Sequence, residues 1–263
     1  MENTAANKVV LSMSGGLDST MLAVYWLARG NEVRAYAFDY GQKHDIELKK
    51  LKKNIKFLQE KNLPITLQVI NLRDCFADSA SSLHKGSGED IPKGHYEDDN
   101  MKSTVVENRN IIFSSIIYGK ALAWSKKTND DVIISLGIHA GDHTIYPDTT
   151  PESREAAAHT FKISNWGSER VSYVAPFETL TKDQVLDMGV SSMAKMDFNI
   201  REIWKVLKYT HSCYDPNEKG ESCGVCGTCT ERIEAFEKLG MIDPIKYAPC
   251  IMDDPSESII FVK

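Results

Sequence analysis

Two strings of residues in this chain carry chemistry. The first is Ser14-Gly15-Gly16-Leu17-Asp18-Ser19-Thr20, which follows a short apolar run and opens a helical pattern. Glycines at a strand-to-helix turn let backbone N–H groups wrap an anion, and the helix N-terminus adds the positive end of its dipole. The hydroxyls of Ser14, Ser19 and Thr20 are further donors. Asp18 repels phosphate, so its expected work is capping the helix or helping to hold Mg²⁺. The string fits neither G-x-x-x-x-G-K-[ST] nor G-x-G-x-x-G, which excludes both common nucleotide loops. Taken alone, it is also compatible with a plain capped turn.

The second string is Cys213-x9-Cys223-x2-Cys226-x2-Cys229. Overlapping C-x2-C pairs with a fourth thiolate nearby suit tetrahedral Zn²⁺, and a site filled by four protein sulfurs is structural rather than catalytic. Gly224 and Gly227 permit the tight turns that aim successive sulfurs at one ion. An iron–sulfur cluster uses the same four thiolates and is the chemical rival. Cys75 and Cys250 stand apart and read as incidental.

Both strings need elements to position them. Apolar patterning predicts strands over 8–12, 33–39, 65–71, 132–136 and 171–175. It predicts helices over 18–28, 44–59, 109–125, 152–163, 181–188, 200–207 and 230–239. Alternating strands and helices mean βαβ units, hence an α/β fold with a five-stranded, mainly parallel sheet flanked by helices. The cysteines then form a small C-terminal zinc-binding helical module. The expected division is an ATP-binding α/β domain over 1–195 and the module and tail over 196–263. Residues 76–105 show no period, and so long a loop in a small domain is usually functional. Pro244, Pro249 and Pro255 suggest a loosely held tail.

Composition narrows the function. The 263 residues include 31 Lys and Arg against 37 Asp and Glu, a formal charge of −6, and 42% are hydrophobic. That balance argues against disorder and against a general nucleic-acid binder. No apolar run approaches the roughly 18 residues of a membrane span. The polar N-terminus has no signal-peptide pattern. A cytoplasmic protein is expected, and its cysteines are then expected reduced.

Ser-Gly-Gly-Leu-Asp-Ser after a first strand resembles the pyrophosphate loop of the ATP pyrophosphatase superfamily (PP-loop, adenine nucleotide alpha hydrolase-like). Those enzymes split ATP to AMP and pyrophosphate and leave an adenylated substrate. Phe38-Asp39-Tyr40-Gly41-Gln42 ends the second strand on the ligand side of such a sheet. Further elements recur in order: Asn108-Arg109-Asn110, Gly137-Ile138-His139, Tyr146-Pro147-Asp148, Pro176-Phe177, Leu180-Thr181-Lys182 and the cysteine string. Together, over roughly 8–240, they resemble the 7-cyano-7-deazaguanine synthase (QueC) family.

The resemblance implies a ligase that adenylates 7-carboxy-7-deazaguanine, forms an amide with ammonia and dehydrates it with a second ATP. It implies ATP, Mg²⁺ and structural Zn²⁺, a homodimer, and neither membrane nor nucleic-acid partners. Asp18, Ser19, Arg109 and Lys182 are the expected catalytic residues. Leu11, Ser12, Ser14 to Thr20, Phe38, Tyr40, Gly41 and Gln42 are expected to bind ATP. Asn108, Arg109, Asn110, Gly137, His139, Asp142, Tyr146 and Asp148 are expected to bind the deazapurine acid, with Asp148 pairing its ring donors. Thr149-Thr150 departs from the Cys-Arg-like continuation of the family pattern, which leaves the acid open. The alternative is a paralogue that transfers such an acid to another amine, on a protein or nucleic acid.

Overall fold

Val9, Val10 and Leu11 are fully buried in β1 (Lys8–Ser12), and they alternate between two cores. Val9 and Leu11 join one apolar cluster, and Val10 joins another. A strand buried on both faces belongs at the centre of a three-layer fold. The computed structural model describes residues 8–43, 46–95 and 98–249. In it β1 is flanked by β2 (Glu32–Asp39) and β4 (Val132–Ser135), with β3 (Ile65–Asn71) and β5 (Val171–Tyr173) at the edges. The order is β3-β2-β1-β4-β5, and every pairing is parallel. Leu11 registers with Ala35 on one side and Ser135 on the other. The chain winds outward from β1 in both directions, so the crevice between the C-terminal ends of β1 and β4 is the topological switch point where ligands bind.

Five helices cover one face: α1 (Leu17–Leu27), α2 (Ile46–Glu60), α5 (Lys182–Lys195), α6 (Ile200–Lys208) and α7 (Gly227–Lys238). Ile203, Val206 and Leu207 of α6 and Phe236 of α7 belong to the same apolar cluster as Val9 and Leu11. The C-terminal helices therefore share the core of the sheet. On the other face α3 (Arg109–Thr128) packs Phe113, Ile117, Ala121 and Trp124 against Val10 and Ile134, and Tyr118 stacks on Phe161 of α4 (Pro151–Ile163). Among the described residues no helix is long and apolar enough to cross a membrane.

Three segments depart from the pattern reading. Helix α5 runs seven residues past the expected end at Met188. Gly189 does not stop it, because its bare Cα is where α5 lies against Met21 of α1. Helix α7 begins inside the cysteine string, since the N–H groups of Cys229 and Thr230 both return to the Cys226 carbonyl. The expected loose tail is docked as far as it is described. The Tyr247 hydroxyl and the Arg232 guanidinium both donate to Asp243, and Ser222 exchanges backbone bonds with Lys246 and Ala248. Residues 250–263, with Cys250 and Pro255, and the expected helix start at 44–45 lie outside the described residues.

The contact at Gly189 is testable. A Cβ there would lie 2.0 Å from Met21 Sδ and 2.9 Å from Met21 Cβ. Gly189→Val should lower unfolding free energy in urea by about 1–3 kcal/mol through overpacking. Gly119→Ala, at an exposed point of α3 with nothing within 4 Å of its Cβ, should be neutral or stabilising.

Candidate active site

The phosphate loop is built by close approach. Gly15 has φ +100°, and a Cβ there would stand 3.0 Å from the Glu47 carbonyl of α2 and from Leu51 Cβ. A Cβ on Gly137, just after β4, would stand 3.0 Å from the Ser19 nitrogen. These two glycines let α2 and the β4 loop close on the turn from both sides. Inside it, Ser14 Oγ accepts from the Gly16 N–H at 3.1 Å and Ser19 Oγ from the Gly15 N–H at 3.3 Å. Two bonds come from the C-terminal part: His211 N–H donates to the Gly15 carbonyl at 2.9 Å, and Ser212 Oγ accepts from the Leu17 N–H at 3.3 Å.

A cavity opens beside this loop at the switch point. Ser12, Ser14, Gly16, Asp18 and Ser19 line it, with Phe38, Tyr40 and Gln42. Arg109, Asn110, Tyr146, Gly137, Asp142 and Lys182 line it as well.

Lys182 is the buried cation at the loop. Its Nζ stands 2.7 Å from Asp18 Oδ2, 3.1 Å from Glu231 Oε2 and 3.2 Å from His139 Nε2. Burial works against its charge, but Asp18, Glu231 and Asp142 more than offset this, so it stays protonated. Burial likewise opposes the charge on Asp18, and Lys182 and His139 overcome it, holding its carboxyl below the ordinary range. The second Asp18 oxygen, Oδ1, is buried without a hydrogen-bond partner among the described residues.

Arg109 is a second cation at the site, half-buried and set at the first turn of α3, where the helix dipole is unfavourable to it. Its Nη1 lies 3.4 Å from Tyr40 Oη, and its guanidinium lies 5.7 Å from the centre of the Tyr146 ring. Tyr146 is fixed in turn by Thr104 at 2.8 Å and Tyr214 at 3.1 Å. Burial alone would lower the Arg109 pKa, and the oxygens of Tyr40, Tyr146, Tyr214 and Asp148 reverse that.

Some expected ligands stand elsewhere. Both Asp148 oxygens bind Asn110, one its backbone N–H and one its amide, each at 3.0 Å. Asp148 therefore caps the start of α3 and does not face the cavity as a base-reading acid. His139 is buried, accepts from the Gly141 N–H and abuts Lys182, which makes it a support for that lysine. Leu11, Leu17 and Thr20 are buried in or beside the core, so any part they take in binding ATP is through the backbone they hold. Gly41 faces the His84 ring, and Asn108 takes the left-handed conformation that turns the chain into α3.

Pattern reading missed Lys43, Glu47, Ser212 and Tyr214, which line the cavity, and Glu231, which reaches Lys182. Glu47 and Glu231 look like ordinary helix-surface acids in sequence. Ser212 and Tyr214 carried a signal, since they flank Cys213.

The sulfurs of Cys213, Cys223, Cys226 and Cys229 all lie within 4.8 Å of one another, and this donor set could hold a metal ion. Backbone N–H groups of Asp215 and Cys223 point at Cys213 Sγ, and that of Cys226 at Cys223 Sγ. Such donors favour the thiolate form that metals bind. Cys213 also lines the cavity, and Thr228 holds the Ser212 carbonyl at 2.7 Å, so the cluster adjoins the phosphate loop.

Removing Lys182 should be costly, because Asp18 and Glu231 would face each other uncompensated. Lys182→Ala should lose about 3 kcal/mol of stability, as measured by chemical denaturation. Adding Glu231→Gln to it should recover part of that loss.

The family model described as "Queuosine biosynthesis protein QueC" matches residues 8–240. The 7-cyano-7-deazaguanine synthase of Marinomonas sp. (strain MWYL1) is 38% identical over 244 residues, covering 92% of this chain and 99% of that protein. That of Caldicellulosiruptor saccharolyticus is 37% identical over 240 residues, covering 91% and 95%. Among solved structures, NMN synthetase from Francisella tularensis aligns with a TM-score of 0.40 at 14% identity, covering 74% of this chain and 67% of that one. The matched span runs from β1 through the phosphate loop and the four cysteines to the end of α7, and this chain belongs to the QueC family of queuosine biosynthesis proteins.

Proposed function

We propose that this chain is an ATP-dependent carbon–nitrogen ligase that converts 7-carboxy-7-deazaguanine to 7-cyano-7-deazaguanine. One observation carries the reading: a single cavity is lined both by the phosphate loop and by a half-buried guanidinium with no ion pair among the described residues. The first suits ATP and the second suits a carboxylate, and adenylation needs both held in line.

The residues divide the work as follows. The backbone and hydroxyls of Ser14 to Ser19 cradle the β- and γ-phosphates. Lys182, already charged, turns from Asp18 toward the departing pyrophosphate and offsets its charge. Phe38, Tyr40 and Gln42 flank the adenosine. Arg109 orients the acid so that a carboxylate oxygen meets the α-phosphorus. Asn110, Gly137, Asp142 and Tyr146 border the deazapurine. Ammonia then displaces AMP to give the amide, whose oxygen attacks a second ATP before loss of AMP leaves the nitrile. The apolar flank of Phe113, Leu136 and Ile138 keeps water from the acyl adenylate.

Asp18 Oδ1, buried and without a hydrogen-bond partner, is the oxygen that would hold Mg²⁺. The ion, when bound, neutralises phosphate charge. The four cysteines would hold one structural Zn²⁺. Tetrahedral Zn–S bonds of about 2.3 Å put sulfurs about 3.8 Å apart. The 4.0 Å between the Cys223 and Cys229 sulfurs favours a single ion over the wider spacing that an iron–sulfur cluster needs. Free ammonia as nitrogen donor, a homodimer and a cytoplasmic setting complete the proposal.

Incubation with ATP, Mg²⁺, ammonium and the deazaguanine acid should release two AMP per free nitrile, read by chromatography and product mass. No acid-dependent AMP, or mass appearing on a macromolecule, would reject it. Metal analysis should find zinc and no iron. Cys226→Ser should lose the metal and, through Ser212, weaken ATP binding in calorimetry.

A further inference from the structure

Glu47 is a carboxyl group in the cavity with nothing assigned to it. It stands in the first turn of α2, whose backbone touches the phosphate loop at Gly15. Its side chain lines the cavity together with Tyr40, Lys43, Arg109 and Tyr214. Among the described residues, no hydrogen bond or ion pair engages that carboxyl. The nearby acids are all committed: Asp18 and Glu231 to Lys182, Asp148 to Asn110, and Asp142 to the His139 backbone N–H. Of the nearby cations, Lys43 donates to the Glu89 carbonyl and Lys50 contacts His211, which leaves Arg109 as the charge facing Glu47.

A carboxyl group beside a phosphate loop is unfavourable unless it does something. It repels ATP, and it gains nothing from Arg109 once a carboxylate substrate occupies that guanidinium. The proposed reaction does need a proton acceptor at this point. Its nitrogen source is ammonium at neutral pH, and ammonium has no lone pair for attack.

We propose that Glu47 is the catalytic base that captures ammonium and deprotonates it for attack on the acyl adenylate. This rests on the ligase reading above. The Glu47 carboxylate takes one proton from NH₄⁺, and the lone pair so freed forms the C–N bond. The C–O bond to AMP breaks and AMP leaves with that electron pair. The second proton lost from nitrogen goes to solvent through the same carboxyl, leaving the neutral amide. In the dehydration half, adenylation of the amide oxygen and departure of AMP each require loss of one N–H proton, and Glu47 is placed to accept both in turn.

The electrostatics are consistent with a base working near neutrality. Burial pushes the Glu47 carboxyl up to about 8, although the Arg109 charge pulls it down. A base whose pKa lies near the working pH combines a useful ionised fraction with real basicity. The group's folded value is raised above its ordinary 4.5, so its contribution is full below that pH and is lost as pH rises to about 8.

The test is Glu47→Gln in the full-length protein, with Glu47→Asp beside it. Acid-dependent exchange of pyrophosphate into ATP reports adenylation and should stay within a few-fold of wild type. Nitrile formation from ammonium at pH 7 should fall by about 10²-fold or more. Hydroxylamine is largely unprotonated at pH 7, so trapping of the adenylate as a hydroxamate should survive in Glu47→Gln. Glu47→Asp should keep a rate that rises with pH, at a displaced midpoint, and decides the matter if the glutamine variant fails to fold. The stability of Glu47→Gln relative to wild type should rise between about pH 4.5 and 8. Near wild-type nitrile formation by Glu47→Gln, or equal losses of hydroxamate and nitrile, would overturn the assignment of Glu47 alone. Absence of acid-dependent exchange in wild type would instead overturn the ligase reading, and the base with it.

Discussion

The ammonium group of Lys182 is the point on which the site depends. It is almost fully buried, and it touches Asp18 of α1, His139 of the β4 loop and Glu231 of α7 while itself standing at the start of α5. One charge thus pins together four parts of the chain that are distant in sequence. A buried cation is tolerable only with carboxylates beside it, and each carboxylate is tolerable only with the cation. The group is therefore a mutual constraint. It also answers a problem of pre-organisation. In the proposed reaction a lysine that meets pyrophosphate must be held charged and in place before ATP arrives, and Asp18 and Glu231 hold Lys182 so.

The cysteine cluster enters the same logic from the other side. Helix α7 starts at Gly227, carries Cys229, and two residues later presents Glu231 to Lys182. Cys213 follows Ser212, whose hydroxyl accepts from the first N–H of α1. A structural ion here would do more than fold a surface module. It would set the angle of α7 and the path of 211–214, hence the position of a charge partner and of a phosphate-loop contact. The helices beyond α5 share the sheet's apolar core and are not a separate appendage.

What was legible in the sequence follows from how each signal arises. The strands and the phosphate loop announce themselves because buried strands read as continuous apolar runs and the loop needs glycine at Gly15. The cysteine ligands are legible because sulfurs that meet one ion must recur at short spacing. Lys182 and Arg109, which line the cavity, are singled out only by the ordered family pattern, since a lysine at a helix start and an arginine at a helix dipole's wrong end say little alone. Two expected ligands bond elsewhere for one reason. Asp148 and His139 are polar groups in a loop beside the cavity, and composition does not tell which way a side chain turns. Asp148 turns to satisfy the open N–H of Asn110, and His139 turns inward to Lys182. Glu47 and Glu231 were invisible for the converse reason: on amphipathic helices an acid looks solvated until tertiary packing covers it.

The charge distribution closes the argument. The chain carries a net −6, yet it must bind ATP, whose phosphates bring several negative charges of their own. Long-range attraction does not supply that affinity, because the field of the whole molecule has the wrong sign. In the proposed reaction the work falls to short-range groups: backbone N–H donors at the start of α1, Lys182 beside Asp18, and Arg109 in the same cavity. Donors fixed by folding cost no reorganisation when charge moves onto pyrophosphate. A weak overall attraction with strong local donors also suits product departure, since AMP and pyrophosphate leave an acidic protein down a favourable potential. The acidic chain and the locally placed cations Lys182 and Arg109 are thus two halves of one arrangement for an enzyme that must release as well as bind polyanions.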